Sequence, residues 1–168
     1  MSSDSVPEPW LRGPIEGVHP LLAPTLHAYR QAREDLAHWT AGLTDEQIWA
    51  RPYGLAPVGF QLRHIAGSVD RLTTYLQDGQ LNVVQIDFLQ HEMDAGPGRE
   101  ELLGQVDAAL RESEKIIRAL DPAMLAEPRA VGRKQLPTTV AGLLVHLAEH
   151  TQRHVGQAIV TAKLLRTG

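Results

Sequence analysis

Two histidines stand four residues apart near the end of the chain, at His150 and His154. An α-helix has about 3.6 residues per turn, so these two side chains share one helix face. The surrounding leucines and valines place His154 within the apolar face and His150 at its border. Burying an imidazole without a partner costs about 1–3 kcal/mol. Each ring therefore needs a partner, which is either a metal ion or a set of backbone, carboxylate and water contacts.

A third imidazole is available on an earlier predicted helix. His64 lies at the edge of its apolar seam, on the same flank as Gln61, Ser68 and Tyr75. If the two helices pack along these edges, three imidazoles converge. Three neutral histidines with a fourth position left to water form the arrangement of a catalytic zinc-type site. A divalent cation there lowers the pKa of bound water toward about 7 and can polarise a carbonyl or ionise a thiol.

Other polar residues of the last helix flank this pair. His146 lies one turn before the pair and Gln157 about one turn after it, so both are candidates for outer partners of the site. The alternatives are a solvated histidine and a surface amide. Gly156 would allow a neighbouring helix or a ligand to approach closely. The literal His-x-x-Glu-His match at 146–150 is interpreted as coincidence, because no acidic residue follows it to complete such a site.

Two further candidates lie outside the predicted helices. We expect neither His91 nor Glu92 to bind the ion, because nothing in the long connection that carries them fixes their position. No carboxylate is expected on the face that the histidines share, which leaves the site without an obvious general base. The basic residues Arg129, Arg133 and Lys134 are predicted to lie in a solvated loop, although they could also attract an anionic substrate.

Four long apolar-periodic segments must position these residues, and no strand-like alternation is visible. A capping box at Thr44 and Gln47 predicts an additional short helix. No element is assigned to the connection at 80–98, which is longer than neighbours in a bundle usually need. The pattern predicts an all-α four-helix bundle, and the long connection allows a crossover in place of a simple up-down-up-down order. The predicted helices run over about 20–43, 58–78, 99–120 and 138–166, with a loop from Glu127 to Pro137 before the last.

The composition limits the classes of function. The chain has 168 residues and no cysteine, which excludes disulfides, thiolate ligands and a nucleophilic cysteine of its own. A net charge of −4 argues against a nucleic-acid partner. We see neither a signal peptide nor a membrane span, and expect a cytoplasmic protein. Residues 1–19 are expected to form a flexible lead-in, and residues 20–168 a single domain.

The sequence also resembles a known family. The segments 61–68 (QLRHIAGS) and 146–157 (HLAEHTQRHVGQ) are similar to those of the DinB/YfiT-like superfamily of metalloenzymes, and the resemblance extends from about Pro20 to Arg166. The resemblance implies a four-helix bundle in up-down-down-up order and a divalent metal held by His64, His150 and His154. Members of the family are often homodimers, so a homodimer is expected here too. Zinc or nickel is expected first, with iron and manganese as alternatives, since all accept imidazole ligands.

The resemblance implies an enzyme that acts on a small-molecule substrate. The activities that it suggests are transfer or isomerisation with a low-molecular-weight thiol, and hydrolysis. The lack of cysteine suits the first, because the sulfur would arrive with the cosubstrate. The sequence does not choose between them. The alternative from another class is a non-catalytic, stress-related helical protein whose metal is incidental or absent.

Overall fold

The chain folds into helices of very different lengths, joined by short turns and one hairpin. The computed structural model describes residues 6–167. In chain order, its elements are α1 (Ala23–Trp39), α2 (Asp45–Trp49), α3 (Val58–Leu76), α4 (Val83–Gln90), α5 (Arg99–Arg118), β1 (Pro128–Val131), β2 (Leu136–Thr139) and α6 (Val140–Thr167), with 3₁₀ turns at Pro9–Leu11, Pro52–Gly54 and Pro122–Ala126.

The four long helices, α1, α3, α5 and α6, form the body of the described structure. Helix α6 packs against both α1 and α3, while α5 packs against α3 and less extensively against α1. Fully buried side chains from all four, including Leu26, Ile65, Leu110 and Leu147, fill the space between them. A mostly helical chain with four long helices is therefore confirmed. Their up-down-down-up order in a four-helix bundle stays a prediction.

Two short helices begin with the same capping arrangement. The Thr44 hydroxyl accepts from the Gln47 amide and the Gln47 side chain accepts from the Thr44 amide, which confirms the predicted box at α2. Asn82 and Gln85 make the equivalent pair of bonds at the start of α4. The connection at 80–98, to which no element was assigned, therefore contains a helix. This helix turns the chain back toward α3.

The segment predicted as a loop from Glu127 to Pro137 is wrong in part, because it contains a β-hairpin. Strands β1 and β2 pair antiparallel, with Pro128 opposite Thr139 and Val131 opposite Leu136. Gly132 has a φ of 72° at the turn, where glycine avoids the strain that a Cβ would bring. Each strand has only four residues, and one of them is a proline, at 128 and 137. Apolar and polar residues therefore alternate over too short a stretch to predict a strand from the sequence. The last helix consequently begins at Val140.

The hairpin also changes the environment of Arg129, which was predicted to be solvated. Its side chain is only 8% exposed, and its Nε donates to the carbonyl oxygen of Leu76 at 2.9 Å. The last carbonyls of a helix lack partners within the helix, so this bond stabilises the end of α3. Arg133 and Lys134 lie at the exposed turn, as expected.

The segment before α1 is partly packed. Ile15 is buried in the core, and Arg12 forms a two-pronged ion pair with Glu34 of α1 at 2.6 and 2.7 Å. Residues 1–5 of the expected flexible lead-in lie outside the described residues, and the division into lead-in and domain stays a prediction. Within residues 6–167, every helix is too short or too polar to cross a membrane.

Candidate metal centre

Helices α3 and α6 bring three imidazoles together. His64 lies in the second turn of α3, and His150 and His154 lie on successive turns of α6. One ring nitrogen from each residue lies within 4.8 Å of the other two, and the Nε2 atoms of His64 and His150 are 3.0 Å apart. The ring centroids of His64 and His154 are 4.2 Å apart. The convergence that the sequence predicted for these two helices is present, whereas metal binding itself stays a prediction.

The far nitrogen of His64 is held by a buried carboxylate. Glu92 Oε2 lies 2.6 Å from His64 Nδ1, and Glu92 Oε1 accepts from Arg71 Nη1 at 2.7 Å. The Glu92 side chain is only 3% exposed. An ionised carboxylate only accepts, so His64 carries a proton on Nδ1, and the neutral ring then has its lone pair at Nε2. Glu92 thus selects the tautomer that can bind a cation.

A chain of two amides holds His154 in the same way. His154 Nδ1 donates to Gln61 Oε1 at 2.7 Å, and Gln61 Nε2 donates to Gln157 Oε1 at 3.0 Å. Gln61 is buried in α3, whereas Gln157 is exposed on α6. The proton on Nδ1 leaves Nε2 of His154 as the free acceptor. Gln157, predicted as an outer partner of the site, contacts Gln61 rather than a histidine.

The third imidazole has fewer partners. His150 Nδ1 is buried and has no hydrogen-bond partner among the described residues, while its Nε2 faces His64. The ring of His146 lies beside it, with centroids 5.0 Å apart, but His146 is about half exposed. His146 is therefore placed next to the site without a hydrogen bond to His150. Whether it acts as an outer partner stays a prediction.

The electrostatics keep the two α6 imidazoles neutral. Burial, followed by the neighbouring charge of His64, lowers the pKa of His150 to about 4. The same two causes lower the pKa of His154 to about 4. Desolvation disfavours the charged form of a base, which explains the direction of both shifts. At neutral pH both rings are thus unprotonated, as metal ligands must be.

The donor set fits a divalent transition-metal ion. Tetrahedral zinc with Zn–N bonds of about 2.0–2.1 Å places ligand nitrogens roughly 3.3 Å from one another. The Nε2 atoms of His64 and His150 are 3.0 Å apart, and the whole set lies within 4.8 Å, so the separations are of this order. The lone pairs of His64 and His154 face a common space that an ion would satisfy. All three ligands are imidazoles, which suit zinc, nickel, iron and copper better than magnesium or calcium.

A second group of potential ligands overlaps the first. His146, Glu149 and His150 also bring one ligand atom each within 4.8 Å of one another. Two of the three are exposed, and Glu149 is paired with Arg153 on the outer side of α6. Exposed groups of this kind are common without an ion, so we interpret the His-x-x-Glu-His match as coincidental.

The other residues that the sequence analysis singled out lie either beside the three histidines or away from them. Ser68 and Tyr75 are buried beside His64 and line a small cleft with it, as their shared flank predicts. His91 is exposed and bonds to the Asp87 carbonyl, away from the cluster. Gly156 is exposed, and a Cβ there would meet no neighbour within 4 Å among the described residues. The close approach expected at Gly156 therefore does not involve a packed helix.

A comparison with family models identifies the family of the chain. The family model described as the DinB superfamily matches residues 28–158, which is more than three quarters of the chain. The chain belongs to the DinB superfamily. The matched span includes His64 and the whole pair on α6. A comparison with curated proteins finds no match for this DinB-superfamily chain.

Sequence reasoning missed how Glu92, Arg71 and Gln61 position the site. Glu92 was expected to have no fixed place, but Arg71 and His64 bind its two carboxylate oxygens. Gln61 was placed on the correct flank without its bond to His154. The expectation that no carboxylate lies on the shared histidine face as a general base stays a prediction, since Glu92 arrives from the connection after α4 and contacts the far nitrogen of His64. The Asn82–Gln85 capping pair was the available signal that this connection is ordered.

Proposed function

We propose that His64, His150 and His154 hold a divalent metal ion and that this DinB-superfamily member is a metal-dependent enzyme. The single observation that carries the proposal is the convergence of three imidazole nitrogens, two of which have the opposite ring nitrogen held by an acceptor. Outer partners of this kind accompany nearly all metal-binding histidines, because they fix the tautomer and orient the ring. Zinc or nickel is the first expectation, with iron and manganese as alternatives.

The surrounding residues favour transfer or isomerisation with a low-molecular-weight thiol over hydrolysis. When bound, the metal supplies Lewis acidity and a position at which a thiol ionises. The chain has no cysteine, so a sulfur nucleophile would come from the cosubstrate. Glu92 is the buried carboxylate nearest the cluster, and both its oxygens are engaged by His64 and Arg71. It is therefore poorly placed to act as the general base that a hydrolase needs.

Metal content tests the first step of this proposal. We expect protein produced without an affinity tag to contain about one equivalent of metal by mass spectrometry. The His150→Ala variant should lose it, with an affinity decrease larger than the roughly 10–100-fold typical of outer-partner changes. The matched control is His91→Ala, which removes an exposed imidazole outside the cluster and should retain the metal.

Activity assays then separate the remaining alternatives. Metal-loaded protein should catalyse addition of one of several cellular thiols to an electrophile, and His150→Ala should not. Ester cleavage without thiol transfer would instead indicate a hydrolase. Purified protein without stoichiometric metal would contradict the proposal and favour the non-catalytic, stress-related alternative.

We also propose that the chain is a cytoplasmic homodimer acting on a small molecule, without a nucleic-acid or membrane partner. The family resemblance supports the dimer and the small-molecule substrate, and the net charge of −4 argues against a nucleic-acid partner. Light scattering coupled to size-exclusion chromatography measures the oligomeric state directly. A monomer at micromolar concentration would contradict the dimer without affecting the metal proposal.

A further inference from the structure

A small cleft opens beside the three histidines. Its volume is about 230 Å³, and the rings of His64 and His150 form one wall. The side chains of Leu72, Leu81 and Leu89 contribute an apolar wall. Sites for drug-sized ligands typically measure about 300–1,000 Å³, so this cleft suits a smaller molecule with an apolar body.

The cationic side chain of Arg71 lines this cleft, and most of its hydrogen-bond donors have no acceptor within residues 6–167. The Arg71 side chain is only 9% exposed, and its Nη1 donates to Glu92 Oε1. A guanidinium has five N–H donors. Arg71 makes no other hydrogen bond to an acceptor among the described residues. Its nitrogens that lack a partner are not fully buried, so they remain accessible. Since Arg71 borders the cleft, its remaining donors are available to a molecule bound there.

The charges around the cleft favour an anion. Glu92 balances the charge of Arg71 and also accepts from His64, so the bound metal would leave a net positive site. A guanidinium binds planar carboxylates through two parallel hydrogen bonds, a geometry that lysine cannot reproduce. The leucine wall would bury the apolar remainder of such a molecule.

We propose that Arg71 binds the carboxylate of a small apolar organic acid in this cleft and thereby determines substrate class. This inference rests on the proposed function for the assignment of the reacting centre, which is the metal position beside His64 and His150. Arg71 thus acts as a specificity-determining residue, with its guanidinium held in place by Glu92.

Calorimetric titration of zinc-loaded full-length protein tests this proposal, with zinc measured in each sample. The probes are benzoate, its neutral analogue benzamide, and phenyl phosphate. We expect benzoate to bind at least tenfold more tightly than either of the others. Arg71→Lys, which keeps a positive charge beside Glu92, should weaken benzoate binding at least tenfold. The matched control, Arg111→Lys, changes an exposed arginine on α5 and should leave benzoate affinity unchanged.

An NMR measurement tests the proposal on the unaltered protein, so its result does not depend on whether the Arg71→Lys variant folds. Benzoate should shift the Arg71 Nε–Hε resonance of the unaltered protein, whereas benzamide should not. Benzoate binding that is equal in Arg71→Lys and wild type would overturn the proposal, because the anion would then be held by the metal alone. Tighter binding of phenyl phosphate would also overturn it, in favour of an organophosphate.

The same titration without metal separates this proposal from the proposed function. If the protein binds no zinc, the metal proposal fails, and Arg71-dependent benzoate binding to the metal-free protein still supports the carboxylate site. If zinc binds stoichiometrically and benzoate does not bind, the carboxylate site fails and the metal proposal stands.

Discussion

The chemistry of single residues in this site depends on which ring nitrogen of each histidine carries the proton. Glu92 and Gln61 are acceptors for the Nδ1 atoms of His64 and His154, so both Nε2 atoms are lone-pair donors toward the common space. Burial lowers the pKa of His154 to about 4, which removes competition from protons near neutral pH. The two imidazoles of α6 are thus unprotonated near neutral pH, as a cation requires.

Replacing Glu92 with glutamine tests its role as a positioning residue. Glu92→Gln removes the charge that holds the proton on His64 Nδ1, and its amide can donate to that nitrogen instead. We expect zinc affinity to fall by about 10–100-fold, as is typical when an outer partner of a histidine ligand is changed. Competition against a chromophoric chelator measures the affinity, and ¹⁵N NMR of the His64 ring reports the tautomer.

The matched control for this change is Glu101→Gln, which alters an exposed carboxylate in the first turn of α5. It should leave zinc affinity within twofold of wild type. A folded Glu92→Gln variant with unchanged affinity and an unchanged His64 tautomer would show that Glu92 has only a structural role.

At the scale of elements, the site depends on a close approach between α3 and the segment that follows α4. A Cβ on Gly67 would lie 2.6 Å from Glu92 Oε1, 2.7 Å from Arg71 Nη1 and 2.7 Å from Phe88 Cε1. Glycine at this position in α3 therefore leaves the space that the buried ion pair occupies. The helix tolerates the loss of helix propensity, which is about 1 kcal/mol relative to alanine.

Gly67→Ala should destabilise the protein although alanine is the better helix former. The added methyl group overpacks the contact, which typically costs about 1–3 kcal/mol, and displaces Glu92. Gly104→Ala on the exposed face of α5 is the matched control, because its Cβ would meet nothing within 4 Å. That control should be stabilising by up to about 1 kcal/mol. Urea unfolding measures both, and equal stabilisation by the two variants would contradict the close approach.

At the scale of the whole molecule, periodic segments were predictable from sequence and contacts between distant segments were not. The four long helices follow from apolar spacing, and the i, i+4 pair of His150 and His154 follows from helix geometry. The place of Glu92 depends on α4, whose eight residues have too little amphipathic pattern to reveal where they pack. The hairpin was missed because it is specified by pairing between two four-residue strands rather than by local alternation.

A buried hydroxyl network also joins three of the long helices away from the three histidines. Tyr29 of α1 shares a 2.9 Å hydrogen bond with Ser113 of α5, which accepts from Thr73 of α3 at 2.8 Å. All three residues are buried. Burial is the main cause that raises the pKa of Tyr29, since the phenolate would lose its hydration there. Folding therefore favours the protonated phenol.

This network predicts a pH-dependent contribution to stability from Tyr29. Its pKa is higher in the folded state than the value of about 10 in the unfolded chain, so the contribution is complete below pH 10 and declines as pH rises further.

We expect Tyr29→Phe to lower the free energy of unfolding by about 1 kcal/mol at pH 7, through the lost hydrogen bond. Urea unfolding should show the difference in unfolding free energy between the two proteins narrowing between pH 10 and 11. The reason is that only the wild type loses the stabilisation provided by the protonated Tyr29 phenol. Tyr53→Phe, which changes an exposed phenol, should show no such narrowing. A wild-type advantage that widened with pH would mean that Tyr29 ionises more easily in the folded protein, contrary to its burial.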